Sequence, residues 1–276
     1  MKKLLTILFA LMLTIVACVS CGSDSASTSD PTSVPASTAS ETDDSSATGG
    51  NKVTVKAGLI TLHDENSTYD KNFIDAFKAA CEAKGVKYLI KSGIPEGNAC
   101  YDAAMELVDE GCNYIFADSF GHESFLLKAA RECPDVQFSH ATGTTAHTEN
   151  VSNFHNAFAS IYEGRYIAGV AAGLKLKAMM DADSSVKPVV GYVGAYTYAE
   201  VISGYTSWYL GIKSIVPNVT MKVQFTGSWY DETAEKTAAE TLIKAGAVLI
   251  SQHADSMGAP NACETAGVPN VSYNGS

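Results

Sequence analysis

The chain has 276 residues, of which 46% are apolar and 18% are charged, so one large domain or two ordinary lobes can form around a sizeable core. The formal net charge of −11 argues against a protein that binds nucleic acid, because contact with the phosphate backbone needs a basic face. Seven cysteines over this length are too few and too scattered for a disulfide scaffold.

Residues 1–17 are predicted to be a targeting segment. Two lysines follow the first methionine, and an unbroken run of 14 apolar residues and threonines then extends from Leu4 to Ala17. This run is short for a helix that spans a bilayer. It ends at Ile15-Val16-Ala17-Cys18, which resembles the bacterial lipobox, whose cysteine becomes diacylated. We favour Cys18 as the lipidated residue and keep Cys21 as the alternative; a plain secretory signal with incidental cysteines is a third interpretation.

Residues 18–50 are predicted to be a disordered tether. Between residues 23 and 50, 14 of 28 residues are Ser or Thr, five are acidic and none is basic or aromatic, so this stretch cannot bury enough apolar area to offset its ordering entropy. The mature chain is therefore expected at the cell membrane, lipid-anchored and facing the extracytoplasmic side. Residues 51–276 carry a net charge of −8, so the folded part is acidic in its own right.

Strands and helices are predicted to alternate in the first half of the folded part. The segment Val53–Ile60 is β-branched and apolar, which is typical of a buried strand. Asp70 is a candidate N-cap for the helix that follows, and Gly85 closes that helix. The remaining predicted elements are a strand over 86–90, a helix over 99–110, a strand over 114–117, a helix through 125–129 and a strand over 136–138.

The same alternation continues in the second half. The predicted elements are a helix over 161–179, strand 189–193, helix 200–215, strand 221–225, a helix capped by Asp231 that ends near 245, strand 247–250, helix 259–265 and strand 270–273. Strict alternation implies parallel sheets with helices on both faces. We therefore predict an α/β protein with two doubly wound, Rossmann-like lobes joined by a hinge. The expected lobes are 53–155 and 156–272, with crossings near Asn156 and Tyr273, and 273–276 would begin the return to the N-terminal lobe.

The chain contains no pattern typical of a nucleotide-phosphate loop or a zinc protease, and its six histidines show no close metal-ligand spacing. No cofactor and no metal are therefore predicted, although a metal site assembled from distant residues stays open. The five cysteines of the folded part fall mostly on predicted helices or their ends, where buried free thiols are the commoner outcome. A disulfide among them also stays open.

Aromatic residues cluster in the loops that follow predicted strands. Tyr69 and Phe73 come after the first strand, Phe120 after the third, and Trp229 after the strand that ends at Phe225. Ligands of such sheets bind outside the carboxyl ends of the strands. Rings at that edge can clamp a planar ligand, each contributing about 0.5–1.5 kcal/mol beyond the area it buries. The alternative is that these rings cover hydrophobic helix ends.

Six segments, taken in order, resemble the basic membrane protein family of PnrA-like substrate-binding lipoproteins, which are purine nucleoside receptors of ABC importers. The segments are Gly58-Leu59-Ile60-Thr61, Asp70-Lys71-Asn72-Phe73, Leu107-Val108-Asp109-Glu110-Gly111, Pro134-Asp135-Val136-Gln137-Phe138, Glu163 to Gly173, and Gly227-Ser228-Trp229-Tyr230-Asp231. The resemblance covers essentially all of residues 53–276. It implies a type I periplasmic-binding-protein fold, capture of a nucleoside or similar planar solute by hinge closure, and ABC permease and ATPase subunits as partners.

The resemblance also implies roles for single residues. Phe73 matches one side of the family's base-stacking clamp, and Trp229 stands where the family has the opposing phenylalanine. Asn274 falls near an acidic residue that the family uses on the ribose hydroxyls, and Asp64 takes the place of an acidic residue after the first strand. The predicted ligand-binding set is completed by three residues of loops that follow strands: Tyr69, Phe120 and Asp255.

One segment departs from the family. Phe138-Ser139-His140-Ala141-Thr142-Gly143 stands where the family has Phe-Ala-Ile-Ile-Asp-Gly, so Thr142 replaces the aspartate that recognises the purine edge. Residues two apart in an extended segment point to the same side, so His140 and Thr142 are both expected to face the cleft. Their mixed donors and acceptors do not match the paired donors of guanine, which favours a ligand other than guanosine. The chain also ends at Ser276, before the family's following lysine, strand and helix, which indicates C-terminal truncation.

Two other functions stay open beside solute import. A ligand receptor that feeds a membrane sensor would share this fold and differ only in its partner. An extracytoplasmic enzyme acting on a small solute is the other, but no nucleophile with its base and orienting group is indicated by residue spacing. An enzyme is therefore not predicted.

Overall fold

The computed structural model describes residues 54–275. The predicted signal peptide, the candidate lipidation sites Cys18 and Cys21, and the predicted tether lie outside the described residues. Between residues 54 and 275, no helix combines the length and the apolar character that crossing a membrane requires.

The first part of the described chain alternates five strands with helices. In order, its elements are β1 (Lys56–Ile60), α1 (Thr68–Lys84), β2 (Lys87–Lys91), α2 (Asn98–Asp109), β3 (Tyr114–Ala117), a short 3-10 helix (Phe120–His122), α3 (Glu123–Glu132), β4 (Gln137–Ala141), α4 (Ala146–Glu149) and β5 (Phe154–Ala157). The five strands form one sheet in the order β2-β1-β3-β4-β5, and every neighbouring pair is parallel.

The second part repeats this arrangement with a separate sheet. Its elements are α5 (Ile161–Ala182), β6 (Val189–Gly194), α6 (Ala199–Ile215), β7 (Thr220–Phe225), α7 (Glu232–Lys244), β8 (Ile250–His253), α8 (Gly258–Ala266) and β9 (Asn270–Val271). The strand order is β7-β6-β8-β9, again with parallel pairs only. The predicted α/β class with parallel sheets is confirmed, whereas the lobe boundaries 53–155 and 156–272 stay a prediction.

Each sheet is covered by its own hydrophobic core. In the first part, the side chains of Ile60, Leu107 and Phe138 are fully buried in one cluster between sheet and helices. In the second part, Tyr192 and Trp208 belong to the core on the side of α5 and α6. A smaller core packs α7 and α8 on the other face of that sheet. Burial on both faces explains why the strands read as short apolar runs.

Two glycines set the contact between α5 and α6. A Cβ atom built on Gly211 would lie 2.3 Å from the carbonyl oxygen of Tyr166, and one on Gly169 would lie 2.2 Å from the carbonyl oxygen of Trp208. These distances are far inside van der Waals contact, so the two helix backbones approach closely only because side chains are absent at these positions. The helices α5 and α6 therefore form one rigid layer behind the second sheet.

The N-caps of α1 and α7 position the loops that precede these two helices. The predicted cap Asp231 is confirmed for α7, since its side chain accepts a hydrogen bond from the amide of Ala234 at 2.8 Å. For α1 the cap is Ser67 rather than the predicted Asp70. Asp70 instead accepts hydrogen bonds from Ser67 Oγ at 2.5 Å and from the amide of His63 at 2.8 Å. This carboxylate thus fixes the loop between β1 and α1.

Candidate functional site

A cavity lies between the carboxyl ends of the two sheets, where about 330 Å³ is free of protein atoms and part of that space is open to solvent. The side of the first sheet contributes Leu62, Tyr69, Asp70, Ser119, Phe120 and Thr142. The side of the second sheet contributes Glu200, Trp229, His253, Asp255 and Tyr273. Each of these residues lies at the carboxyl end of a strand, in the loop beyond it, or in the first turn of the next helix. This is the edge at which parallel sheets bind ligands.

Two aromatic rings from the first sheet's loops stand in the cavity wall. Tyr69 lies in the first turn of α1, and its hydroxyl donates a hydrogen bond to the carbonyl oxygen of Asp118 at 2.8 Å. Phe120 begins the 3-10 helix after β3. Glu96 holds that turn by accepting a hydrogen bond from the amide of Gly121 at 2.8 Å. Both rings are therefore fixed by polar contacts on their own side of the cavity.

Thr142 lines the cavity, but His140 does not. Thr142 has a φ of +64°, in the left-handed region that β-branched residues seldom adopt, so the alternation of β4 stops at Ala141. His140 is fully buried behind the wall, with Nε2 2.6 Å from the carbonyl oxygen of Ser119. Burial lowers the pKa of His140 to about 4. The hydroxyl of Thr142 is buried and has no hydrogen-bond partner among residues 54–275.

Trp229 supplies the largest ring on the side of the second sheet. It lies in the loop between β7 and α7, and its carbonyl oxygen accepts a hydrogen bond from the amide of Asp255 at 2.8 Å, which ties this loop to the end of β8. The indole packs against Tyr196 with ring centroids 5.2 Å apart. Its Nε1 is buried and has no acceptor within the described part of the chain. An unpaired buried donor costs about 1–3 kcal/mol, so a ligand acceptor at this point would be stabilising.

The cavity wall is acidic. Asp255 is 4% exposed, and burial raises the pKa of its carboxyl well above the usual range. Repulsion from Asp70, Glu235 and Glu200 raises it further. Asp70 and Glu200 line the same cavity. Carboxyl oxygens crowded in this way favour a ligand that brings hydrogen-bond donors, because such donors offset the repulsion between the acidic groups.

His253 and Tyr273 form a ring pair in the wall, with centroids 4.2 Å apart and planes tilted by 33°. Nε2 of His253 lies 3.7 Å from Oε1 of Glu200. Burial lowers the pKa of His253, which keeps the imidazole neutral at neutral pH. A neutral imidazole has one donor and one acceptor nitrogen. Its Nδ1 has no partner among the residues that the structure describes.

Contacts between the two sides close the cavity at its edges. The amide of Thr68 donates to the carbonyl oxygen of Asp255 at 3.0 Å, and the hydroxyl of Thr68 donates to the carbonyl oxygen of Tyr273 at 3.2 Å. On another edge, the rings of Phe120 and Tyr198 stack with centroids 5.0 Å apart. The two sides of the cavity are therefore in direct contact at its edges.

Comparison with known proteins identifies the family. The family model Bmp, described as ABC transporter substrate-binding protein PnrA-like, matches residues 60–273. The chain belongs to this family. Bmp proteins bind solutes and are not enzymes.

Two curated relatives resemble the chain closely. A purine-binding protein of Brucella abortus (strain 2308) is 34% identical over 219 residues, which cover 78% of this chain and 58% of the relative. A protein of Haloferax volcanii, provisionally named an ABC transporter glucose-binding protein, is 34% identical over 160 residues, covering 58% of this chain and 38% of the relative. The chain therefore spans less than two thirds of the length of either relative.

A solved ABC transporter solute-binding protein from Aeropyrum pernix K1 superposes with a TM-score of 0.67 at 19% identity. The match covers 79% of this chain and 61% of that chain. At this identity the likeness establishes the fold alone, and the predicted type I periplasmic-binding-protein fold is confirmed.

Three residues predicted from the Bmp resemblance lie outside the cavity. Phe73 and Asn274 line a neighbouring open depression, which shares Tyr69, Thr142, Glu200 and Tyr273 with the cavity. The ring of Phe73 packs on Tyr69 with centroids 4.8 Å apart, so it supports that ring of the cavity wall. Asp64 is exposed, and its Oδ1 accepts hydrogen bonds within its own loop. Five predicted residues line the cavity together: Tyr69, Phe120, Thr142, Trp229 and Asp255.

Six residues of the cavity wall are not among the predicted site residues: Leu62, Asp70, Ser119, Glu200, His253 and Tyr273. For two of these residues, the position after a predicted strand could have indicated a place in the site. Glu200 lies in the first turn of α6, directly after the loop that follows β6, and Tyr273 lies just after the last strand. His253 was missed because β8 was placed three residues too early. Within residues 54–275, no group of three or more His, Cys, Asp or Glu side chains is arranged to hold a metal ion, and the five cysteines there are free.

Proposed function

We propose that this Bmp-family chain is the solute-binding component of an ABC importer and captures a purine nucleoside or a similar small planar solute in the cavity between its two sheets. One observation carries the proposal: a cavity lined by aromatic rings and by acidic side chains, at the carboxyl ends of both sheets.

The wall offers the two kinds of contact that such a solute needs. Trp229, Tyr69 and Phe120 present ring faces and edges, against which a planar base gains dispersion and stacking energy. Asp255 and Glu200 present carboxyl oxygens, which accept hydrogen bonds from an exocyclic amine or from ribose hydroxyls. A purine-binding relative at 34% identity is consistent with this ligand class.

The ligand is proposed to differ from guanosine. Thr142, which stands where the family has a carboxylate, lines the cavity with a buried hydroxyl that has no partner among the described residues. A hydroxyl both donates and accepts, and the neutral His253 nearby in the wall does so as well. This mixed pattern suits a base edge such as that of adenine, where a donor and an acceptor lie side by side.

Binding is proposed to work by hinge closure, with no bond broken. The contacts of Thr68 with Asp255 and Tyr273 and the stacking of Phe120 on Tyr198 join the two sides, and they would break when the lobes separate. A solute that contacts both sides favours the closed state by its differential affinity. The predicted lobes 53–155 and 156–272 would be the moving bodies.

The protein is proposed to act outside the cytoplasm, held to the cell membrane by a lipid on Cys18 or, as the alternative, on Cys21. Its partners would be the permease and ATPase subunits of the importer. Membrane fractionation of Cys18→Ala and Cys21→Ala tests the anchor, each variant serving as the control for the other. Release of only Cys18→Ala from the membrane is expected; membrane retention of both single variants would contradict a single lipid at either site.

Calorimetric titration tests the ligand class. Adenine, adenosine, inosine, guanosine, uridine and glucose are titrated into the purified chain, after native mass spectrometry has shown whether a solute was carried through purification. We expect a purine or purine nucleoside other than guanosine to bind most tightly. Tightest binding of guanosine, unchanged in Thr142→Ala, would contradict the proposed specificity, and binding of glucose alone would contradict the nucleoside class.

A further inference from the structure

Arg165 is a buried charge behind the cavity wall. It is one of two arginines in the chain, lies on α5 near its first turn, and is 6% exposed. Its guanidinium donates hydrogen bonds to the hydroxyl of Tyr192 on β6 and to the carbonyl oxygen of Gln252 on β8. The guanidinium carbon lies 4.8 Å from the ring centroid of Tyr273. Arg165 does not line the cavity.

A charge in this position needs a physical reason. No carboxylate among residues 54–275 lies within ion-pair distance of Arg165, and its Nε has no hydrogen-bond partner there. Burying an arginine without an acidic partner costs several kcal/mol, so packing alone would favour an apolar side chain of similar size. The planar guanidinium, in contrast, combines hydrogen bonding in its plane with stacking on an aromatic face.

The groups that Arg165 contacts lie next to the cavity wall or belong to it. Gln252 directly precedes His253, which lines the cavity. Tyr273 lies in the wall where the chain leaves β9. Arg165 itself follows the segment 158–160, where the chain passes from the first sheet to the second. The guanidinium of Arg165 therefore links three places: the start of α5 after the segment 158–160, the chain at Tyr273 after β9, and the carboxyl end of β8 at Gln252.

We propose that Arg165 is a positioning residue: it holds Tyr273 and the end of β8 in the geometry that forms the cavity wall, and it determines affinity without touching the solute. The His253–Tyr273 ring pair, with centroids 4.2 Å apart, transmits this constraint to the cavity, because the guanidinium lies against the same tyrosine. The inference about affinity rests on the proposed function, whereas the inference about wall geometry does not.

The chain offers a reporter that works without a ligand. It has two tryptophans, Trp208 in the core and Trp229 in the cavity wall, so Trp208→Phe leaves Trp229 as the single tryptophan, which is excited at a wavelength that the tyrosines do not absorb. In that background, Arg165→Met is compared with Arg165→Lys and with Arg131→Met. Arg131 is exposed on α3, which makes it a matched control for the same substitution. Acrylamide quenching of Trp229, titration with adenosine and thermal unfolding are measured on all variants.

We expect Arg165→Met to raise the quenching constant of Trp229 by about twofold, because the wall loosens. Its affinity for adenosine should fall by about tenfold or more, as expected for the loss of hydrogen bonds to a charged group. Arg131→Met should change neither quantity. Arg165→Lys should fall between wild type and Arg165→Met, since an ammonium group donates to Gln252 but does not stack flat on Tyr273.

Unchanged quenching and affinity in Arg165→Met would overturn the proposal. This holds even if the melting temperature of the variant falls, because the arginine would then stabilise the fold without positioning the cavity wall. If Arg165→Met does not fold, the lysine variant decides: wild-type quenching there would also overturn it. If wild type binds none of the probes, the proposed function fails, while the quenching comparison still decides the role of Arg165.

Discussion

Glu235 allows a prediction whose sign and size both follow from the structure. It lies in the first turn of α7, is fully buried, and accepts hydrogen bonds at Oε1 from the amides of Asp231 (3.3 Å) and Ser256 (3.2 Å). Its Oε2 is buried and has no partner among the described residues. Burial raises the pKa of Glu235 from 4.5 to about 7. The carboxyl is therefore most stable in its protonated form.

This raised pKa makes the stability of the fold depend on pH. The folded chain holds a proton on Glu235 that the unfolded chain has lost, so the free energy of unfolding is highest below the unfolded pKa and falls as the pH rises through about 7. The difference between the two pKa values corresponds to about 3 kcal/mol of lost stability at alkaline pH.

Glu235→Gln is isosteric with the protonated acid and keeps the acceptor for Asp231 and Ser256. We expect it to stabilise the fold by about 2 kcal/mol at alkaline pH, somewhat less than the full loss, because the new amide donors lack partners. In a domain of this size that corresponds to a rise of about 4–8 °C in Tm. Near pH 4.5 and below, where the carboxyl of wild type is protonated, only the cost of the unpaired amide remains, so the variant should be less stable than wild type by about 1 kcal/mol.

Thermal unfolding followed by circular dichroism at about pH 5 and about pH 8 measures this difference. The control is Glu232→Gln, because Glu232 lies in the same first turn but is exposed. Equal stabilisation by Glu235→Gln at both pH values, or the same effect from Glu232→Gln, would refute the reasoning that burial of the charge is responsible.

Three further variants test the cavity and the helix layer behind it. Trp229→Ala should weaken adenosine binding in calorimetry by about 2–3 kcal/mol through lost burial and stacking, with the melting temperature near that of wild type; unfolding of the variant would contradict a ring exposed to solute. Asp255→Ala should weaken binding by about tenfold or more, because it removes both carboxyl oxygens from the cavity wall, and unchanged affinity would exclude that carboxyl group as a ligand contact. Gly211→Ala should destabilise the fold by about 1–3 kcal/mol because the new methyl meets the carbonyl oxygen of Tyr166; Gly164→Ala on α5, which meets nothing within 4 Å, is the control and should be at least as stable as wild type, with a gain of up to about 1 kcal/mol from helix propensity.

The sequence predicted most of the fold because its signals are local. The cap Asp231, the closing Gly85 and the apolar strand Tyr114–Ala117 each act within a few residues, and the structure has them at the predicted places. The strand β8 was placed at Ala247–Ile250, whereas it spans Ile250–His253. The polar residues of β8, Ser251, Gln252 and His253, are buried in the structure. Hydropathy alone does not predict a buried strand from polar residues.

The site was less predictable for the same reason. Which strands neighbour each other depends on contacts far apart in sequence, so the meeting of Asp70, Glu200 and Asp255 at one cavity had no local signal. Thr142 adopts a left-handed backbone that a threonine in a predicted strand does not suggest. The alternation rule therefore placed His140 in the cleft, whereas its ring lies buried behind the wall.

The central claim is that a solute binds between the two sheets and contacts both. Hydrogen–deuterium exchange of the purified chain, with and without saturating adenosine, tests it most directly. The account predicts increased protection in two sets of segments at once, around 118–122 and 140–143 on the first side and around 227–231 and 252–256 on the second. Protection confined to one side, or protection elsewhere with none at these loops, would contradict it.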